Sequence, residues 1–283
     1  MKFGMNLLLW TADPTAEEQL PLYERLAAMG FDGIELPIFD PLPEAYEKLG
    51  RRLADMGLAC TAVAVRGPED DPISADAAVR AAALEANRRA VDCCEAAGCE
   101  VLSGPLYAAI GCFSGAGPTE EEWARSVEVL RQTADHAARA RVTLASEFLN
   151  RFELYLLNTA EDAARFAREV ERPNLGVHYD TFHAHIEEKS VEAAIEACGD
   201  ELVHVHISES DRGTPGRGQV RWEETFRGLK HVGYDGWLTI EAFGHALPAL
   251  AAATRIWRPL FESAEGLAAE GLAFMKRQWD VAD

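Results

Sequence analysis

The chain of 283 residues is 48% hydrophobic and 8% aromatic, and its formal net charge is −20 at pH 7. This charge argues against nucleic acid as a partner, because binding to phosphate backbones requires clustered lysine and arginine. The sequence has neither the ~20 consecutive apolar residues of a membrane helix nor a signal-peptide pattern, so we expect a cytoplasmic protein without membrane contact.

Short apolar segments alternate with longer amphipathic segments along the chain, and this alternation predicts parallel βαβ units. The eight predicted strands are Phe3 to Leu9, Gly33 to Leu36, Ala59 to Val65, Val101 to Leu102, Thr143 to Glu147, Leu175 to Tyr179, Leu202 to Ile207 and Trp237 to Ile240. The predicted helices are Ala16 to Met29, Glu44 to Met56, Ala75 to Ala97, Glu120 to Arg139, Ala160 to Val170, Val191 to Ala197, Glu223 to His231 and one beyond Ala251.

Eight consecutive βα units fit a closed barrel better than an open sheet. We therefore predict the α/β class and a (β/α)8 TIM barrel, with residues 1–283 forming one catalytic domain. A doubly wound sheet is the alternative, but it would need a glycine-rich turn after an early strand, where no GxGxxG pattern occurs. The glycine-rich segment 213–218 lacks the lysine and the following helix of a phosphate-binding loop, so it is interpreted as a mobile loop.

Four polar residues stand at the ends of four consecutive predicted strands. Glu147 closes the fifth strand, Asp180 follows the sixth, His206 lies near the end of the seventh and Glu241 follows the eighth. Active sites of TIM barrels form at the C-terminal ends of the strands, so we expect these side chains to converge. Three carboxylates and one imidazole make an oxygen-rich set suited to Mn²⁺, Co²⁺ or Mg²⁺. Without a cation or a shared proton, the carboxylates would raise one another's pKa.

The polar residues deeper in the strands are open to a structural interpretation. Strand alternation places His178 on the face of Asp180 and His204 on the face of His206, one layer further inside. We interpret both deeper histidines as satisfied core residues. Glu35 ends the second strand, and both a substrate contact and a structural role are open for it. The six cysteines show no zinc-binding spacing, and most of them are interpreted as buried, reduced thiols.

Five stretches of the sequence resemble the D-tagatose 3-epimerase family, which includes the D-allulose (psicose) and L-ribulose 3-epimerases and belongs to the wider xylose-isomerase-like barrels. The resemblance runs through essentially the whole chain. The most specific stretches are Gly104 to Tyr107 (GPLY), Glu147 to Glu153 (EFLNRFE), Asp180 to Lys189 (DTFHAHIEEK), His206 to Gly216 (HISESDRGTPG) and Trp237 to Gly244 (WLTIEAFG).

The resemblance implies roles for particular residues. It implies that one Mn²⁺ or Co²⁺ binds to the four strand-end residues, and that substrate is contacted by three polar residues and two apolar ones: Glu153, His183 and Arg212 near the sugar carbonyl, and Trp10 and Phe243 as walls. Spacing alone would make Glu153, His183 and His185 surface-loop residues, and either wall residue could equally be ordinary packing. The segment 108–114 is expected near the far end of the sugar.

Together these features predict a metal-dependent ketose 3-epimerase. The expected substrates are free ketoses, interconverted as D-tagatose/D-sorbose, D-fructose/D-allulose or L-ribulose/L-xylulose. Glu147 and Glu241 would act as acid and base on opposite faces of an enediolate, and Glu153 would tune Glu147. The open alternatives are an aldose-ketose isomerase, a keto-inositol dehydratase, a DNA-repair endonuclease and a non-catalytic sugar-binding protein. The resemblance also implies a homodimer or homotetramer.

Overall fold

The computed structural model describes residues 1–282, in which eight parallel strands close into a barrel in the order β1 to β8. This confirms the predicted TIM-barrel fold. The strands are β1 (Lys2–Asn6), β2 (Gly33–Pro37), β3 (Ala59–Val63), β4 (Val101–Gly104), β5 (Thr143–Glu147), β6 (Leu175–Asp180), β7 (Leu202–Ile207) and β8 (Trp237–Ile240).

Helices lie in the connections between the strands and after the last one. Among residues 1–282 the α-helices are α1 (Leu20–Met29), α2 (Pro43–Asp55), α3 (Ala77–Ala97), α4 (Glu120–Ala140), α5 (Ala160–Val170), α6 (Thr181–Glu187), α7 (Val191–Cys198), α8 (Trp222–His231), α9 (Pro248–Ala253) and α10 (Ala264–Val281). No helix within this described part is both long and apolar enough to cross a bilayer.

The first strand is shorter than its apolar sequence predicts. The prediction of a strand from Phe3 to Leu9 was wrong at its C-terminal end, because Leu7–Leu9 form a 3-10 turn. The side chain of Asn6 accepts a hydrogen bond from the backbone N–H of Leu8 at 2.8 Å, and this cap ends the strand. The turn carries the chain outward over the top of the barrel.

A short helix replaces the loop that spacing alone indicates after the sixth strand. Helix α6 begins directly at the strand end because the Asp180 carboxylate accepts the backbone N–H groups of Phe182 and His183, at 2.6 and 3.3 Å. Capping of this kind satisfies donors that the first helical turn leaves free. The same residue therefore ends a strand, begins a helix and faces the barrel opening.

At the bottom of the barrel, the Trp237 side chain of β8 packs against Gly33 on β2, the next strand but one, where only glycine fits. A Cβ on Gly33 would lie 2.5 Å from the ring of Trp237 and 2.5 Å from the carbonyl oxygen of Ala59. Close packing of this region leaves the C-terminal end of the barrel as the open end. The described cysteines are free thiols, and all but Cys112 are buried, as predicted.

Candidate metal and substrate site

Strand register brings the four strand-end residues together at the open end of the barrel. Asp180 and His206 are register partners on β6 and β7, and Glu147 pairs with His178 on β6. One ligand atom from each of Glu147, Asp180, His206 and Glu241 lies within 4.8 Å of the others. All four side chains are buried, which makes the cluster a candidate metal centre rather than a solvated acidic patch.

The imidazole of His206 presents one nitrogen to this cluster. Its Nδ1 atom lies 3.5 Å from Asp180 Oδ2 and 3.5 Å from Glu241 Oε1, is buried, and has no hydrogen-bond partner among residues 1–282. Buried polar atoms normally have a partner. A nitrogen left bare between carboxylate oxygens fits a hard or borderline divalent cation that would bind all four side chains.

A second histidine set lies one layer deeper but shares a member with the first. Ring nitrogens of His178, His204 and His206 also lie within 4.8 Å of one another. His206 Nε2 is engaged with Glu35 Oε2 at 2.6 Å, so His206 has a single nitrogen to offer. A metal ion in either set would need the same free nitrogen of His206. The set with three carboxylates is favoured, because it supplies the negative charge that a cation needs.

Charge in the cluster is divided unequally among the carboxylates. Burial raises the pKa of Glu147 well above its usual range, and the nearby Glu241 and Asp180 raise it further. Burial also acts on Asp180, but the Arg212 guanidinium and His206 outweigh it and hold the pKa of that carboxyl well below its usual range. Burial lowers the pKa of His206, but Glu35 and Glu241 raise it well above the ordinary value. Without metal, Glu147 and His206 are therefore the members of the cluster that hold protons most strongly.

These pKa directions predict a pH-dependent metal affinity. A cation must displace the protons on its ligands, and the pKa values of both Glu147 and His206 are raised. We expect the Mn²⁺ affinity of the EDTA-treated protein to rise with pH, by up to about tenfold per pH unit for each displaced proton. Calorimetric titration in buffers of different ionisation enthalpy measures the released protons. A constant affinity from pH 6 to 8, without proton release, would contradict this.

A cavity of about 320 Å³ opens over the cluster and joins a polar end to an apolar one. This volume suits a small ligand. Its polar end is formed by Glu147, Glu153, His183, Arg212 and Glu241. Its walls are formed mainly by apolar residues: Leu8, Phe39, Val63, Val65, Pro105, Ile110, Leu149, Phe243 and Leu250.

Of the two aromatic residues that were expected to flank the sugar, one lines the cavity and the other does not. Phe243 lines the cavity, whereas the cavity wall contributed by the first strand segment is Leu8 rather than Trp10. Trp10 is partly buried and packs against the core beside the 3-10 turn. From the 108–114 segment, Ile110 reaches the cavity, and the backbone N–H of Gly111 donates to the carbonyl of Glu153 at 2.8 Å.

His183 is held neutral at the polar end of the cavity. Burial, together with the charge of Arg212, lowers its pKa to about 3. The backbone N–H of Asn150 donates to His183 Nδ1 at 3.0 Å, and Arg212 Nη2, which can only donate, lies 2.9 Å from His183 Nε2. His183 Nε2 also lies 3.6 Å from Glu147 Oε1. The ring is therefore fixed between Asn150 and Arg212, beside the metal cluster.

Glu153 lines the same cavity as Glu147. Its Oε1 accepts a hydrogen bond from Asn150 Nδ2 at 2.9 Å, and Asn150 in turn contacts His183. Since His183 Nε2 lies 3.6 Å from Glu147 Oε1, Asn150 and His183 form one path by which Glu153 could affect Glu147.

Arg212 connects the metal cluster with the substrate end. Its Nη1 donates to Glu241 Oε2 at 2.6 Å and to Asp180 Oδ2 at 3.0 Å. Its backbone has φ of 64°, a left-handed conformation that is unusual for a non-glycine residue. Such a conformation needs support from the surrounding loop.

The support comes from Glu209, which the sequence analysis did not identify. Its buried carboxylate accepts hydrogen bonds from the segment 210–220, which contains the loop that was interpreted as mobile, and from the start of α8. The donors are the backbone N–H groups of Ser210, Gly216, Gln219 and Val220, at 2.7 to 3.1 Å, and the indole of Trp222, at 3.0 Å. The backbone carbonyl of Glu209 also accepts the N–H of Arg212 at 2.9 Å. The loop is thus tied to one buried carboxylate.

The chain was compared with known families and proteins. The model of the family described as "Xylose isomerase-like TIM barrel" matches residues 23–278. The L-ribulose 3-epimerase of Methylomonas sp. (strain DH-1) is 32% identical over 99% of this chain and 98% of its own. The ketose 3-epimerase of Arthrobacter globiformis is 34% identical over 98% of this chain and 96% of its own.

A solved structure is similar over the same extent. The D-allulose 3-epimerase from Methylomonas sp., crystallised in complex with D-allulose, superimposes with a TM-score of 0.92 at 32% identity, covering 98% of this chain and 97% of the other. These full-length similarities agree with the resemblance inferred from the motifs.

Proposed function

Since the chain belongs to the xylose isomerase-like TIM-barrel family and its relatives are ketose 3-epimerases, we propose that it is a metal-dependent enzyme that inverts carbon 3 of free ketoses. The observation that carries this proposal is the cluster of Glu147, Asp180, His206 and Glu241 at the floor of the cavity. The proposed substrate pairs are D-tagatose/D-sorbose, D-fructose/D-allulose and L-ribulose/L-xylulose.

We propose that the four clustered side chains hold one Mn²⁺ or Co²⁺, with Mg²⁺ as a further possibility. Three carboxylates neutralise a divalent charge, and the bare Nδ1 of His206 favours a borderline metal that accepts nitrogen. When bound, such a cation supplies Lewis-acid polarisation of the substrate carbonyl, an effect of several kcal/mol on the transition state.

Glu147 and Glu241 are the proposed acid and base at carbon 3. Inversion requires that one group removes the proton from one face of the substrate and another returns a proton to the opposite face. The two residues come from β5 and from the end of β8, so they approach the cavity from different sides. The C3–H electron pair passes into the enediolate, and the second carboxyl group returns a proton to C3. Each residue is the base in one reaction direction and the acid in the other.

Glu147 is suited to accept a proton. Burial and the neighbouring carboxylates raise its pKa in the metal-free site, and a bound cation would lower that pKa and leave the carboxylate ionised, as a base requires. The imidazole nitrogens within 4 Å of its carboxylate are His183 Nε2 at 3.6 Å and His178 Nδ1 at 3.8 Å. Both distances are too long for hydrogen bonds, so these histidines do not occupy the oxygen lone pairs of Glu147.

Arg212 and His183 are the proposed stabilisers of the oxygen atoms on which negative charge develops. The guanidinium remains charged, and its contacts with Asp180 and Glu241 hold it beside the cluster. Neutral His183 lies beside the guanidinium, with Nε2 at 2.9 Å from Arg212 Nη2, and the backbone N–H of Asn150 fixes its Nδ1. Donors fixed before the reaction stabilise developing charge without reorganisation.

A product assay tests the proposed function. EDTA-treated protein is incubated with D-fructose, D-tagatose and L-ribulose, with and without Mn²⁺, and the products are identified by chromatography and carbon NMR. We expect C3 epimers that form only with metal. Aldoses would indicate an isomerase instead, and sugar binding without turnover would indicate a binding protein. A parallel incubation with a keto-inositol tests the dehydratase alternative, which loss of water would indicate.

We further propose that the enzyme is a homodimer or homotetramer, on the basis of the family resemblance. Light scattering coupled to size exclusion gives the mass directly. A monomeric mass at micromolar concentration would contradict this proposal.

A further inference from the structure

Glu35 is a fully buried carboxylate in the interior of the barrel, one layer below the proposed metal cluster. It lies on β2 and receives hydrogen bonds from four other strands. The contacts are Asn6 Nδ2 at 2.8 Å, Thr61 Oγ1 at 3.0 Å, Ser103 Oγ at 3.3 Å, His204 Nε2 at 2.9 Å and His206 Nε2 at 2.6 Å. A buried charge with this many donors is stabilised by them and remains ionised.

An ionised carboxylate only accepts hydrogen bonds, so Glu35 requires a proton on His206 Nε2. The nitrogen that remains for a ligand is then Nδ1, which lies 3.5 Å from Asp180 Oδ2 and 3.5 Å from Glu241 Oε1. If the ring were turned or carried the opposite tautomer, Nδ1 would not be available at this place. Glu35 thus determines which nitrogen faces the cluster.

The same carboxylate is connected with a second residue of the cluster. Asn6 donates through Nδ2 to Glu35 Oε2 at 2.8 Å and to Glu241 Oε1 at 3.3 Å. Asn6 is also fixed by its own cap on Leu8, which ends the first strand. Two of the four proposed ligands therefore take their orientation from contacts that include Glu35.

We propose that Glu35 is a positioning residue of the metal centre, which sets the tautomer and the orientation of His206 and steadies Glu241 through Asn6. This inference rests on the proposed function, because it assumes that the cluster binds a divalent cation. Partners behind a ligating histidine affect metal affinity by about 10- to 100-fold in proteins of this kind. If Glu35 only satisfied hydrogen bonds inside the barrel, its replacement would not act on metal affinity through His206.

The test compares the Glu35→Gln variant with a matched control, Thr61→Val. Both substitutions nearly keep the side-chain volume. Glu35→Gln replaces the charged carboxylate by an amide, and Thr61→Val removes a hydroxyl whose hydrogen bond goes to the same carboxylate rather than to His206. Binding of Mn²⁺ to the EDTA-treated proteins is measured by the loss of the free-ion EPR signal, and folding is followed by circular dichroism and Tm. We expect a 10- to 100-fold weaker affinity for Glu35→Gln and an affinity within about threefold of the parent for Thr61→Val.

Two results would overturn the inference: a Mn²⁺ affinity of Glu35→Gln that matches the parent, or an equal loss in both variants, which would indicate general loosening of the barrel. If the parent itself binds no Mn²⁺, the proposed metal function fails and the inference fails with it. Binding is measured without turnover, so an error about the sugar does not affect this result.

A measurement on the unmodified protein covers the case in which Glu35→Gln does not fold. With ¹⁵N-labelled histidine and ¹¹³Cd²⁺ as the probe metal, NMR identifies the nitrogen of His206 that binds the metal. We expect cadmium coupling to Nδ1 and a proton on Nε2. Coupling to Nε2 would show that Glu35 does not set the ligand atom.

Discussion

Replacing Glu147 by Gln should reduce kcat for C3 epimerisation by on the order of 10³-fold while the protein stays folded. Gln has nearly the same shape but cannot accept the C3 proton, and a positioned base typically contributes about 10² to 10⁴-fold. The measurement is kcat at saturating Mn²⁺, because an amide is also a weaker metal ligand than a carboxylate. The neighbouring substitution Ser146→Ala is the control, since this buried hydroxyl has no partner in the described structure.

We expect Ser146→Ala to retain kcat within about threefold, because it removes no hydrogen bond and no reacting group. A Glu147→Gln enzyme that kept a tenth of the parent activity would contradict the assignment of Glu147 as a base. The Glu241→Gln variant provides a directional check in D₂O. Because Glu147 is intact in this variant, we expect the C3 proton of one epimer to exchange with solvent deuterium faster than the C3 proton of the other epimer.

Replacing Glu209 by Ala should destabilise the protein by about 3 kcal/mol, since it leaves buried backbone N–H groups and an indole without their charged acceptor. Activity should fall as well, because the loop that holds Arg212 in its left-handed conformation loses its anchor. Chemical denaturation and kcat at saturating substrate measure the two effects.

The control for Glu209→Ala is Glu270→Ala. Glu270 forms an exposed ion pair with Arg217 of the same loop, at 2.7 Å. Exposed ion pairs contribute little, so the expected change is about 0.5 kcal/mol or less. Equal effects of the two substitutions would mean that the loop does not depend on the buried carboxylate. The backbone N–H groups and Trp222 outweigh burial and lower the pKa of Glu209, so its contribution should fade as the pH falls into the acid range.

The barrel could be predicted from the sequence because each βα unit repeats the same local pattern. Strand segments such as Thr143 to Glu147 are apolar and short, and the amphipathic segments between them end near glycines. The site could be predicted from one further rule, which places functional residues at the C-terminal ends of barrel strands. Both inferences depend on local order along the chain.

Features that depend on distant partners were not predicted in this way. Glu35 meets His204 and His206 across about 170 positions of the sequence, at separations of 169 and 171 residues. The sequence contained one indication of this network, because Glu35 is a charged residue within the apolar stretch of β2. A buried charge requires hydrogen-bonding partners. Helix α6 had a signal too, since Asp180 is a strong N-cap residue. The residue types gave little indication of where β1 ends, because the apolar Leu7–Leu9 suit a strand as well as a 3-10 turn.

The central claim is that the cluster of two glutamates, one aspartate and one histidine exchanges the proton at carbon 3 of a ketose. Incubation of the Mn²⁺-loaded enzyme with a ketose in D₂O, read by carbon and proton NMR, tests this most directly. We predict that deuterium enters at C3 of both epimers and that exchange stops when EDTA removes the metal. Deuterium at C1 or C2 with aldose formation, or epimers without exchange at C3, would contradict the account.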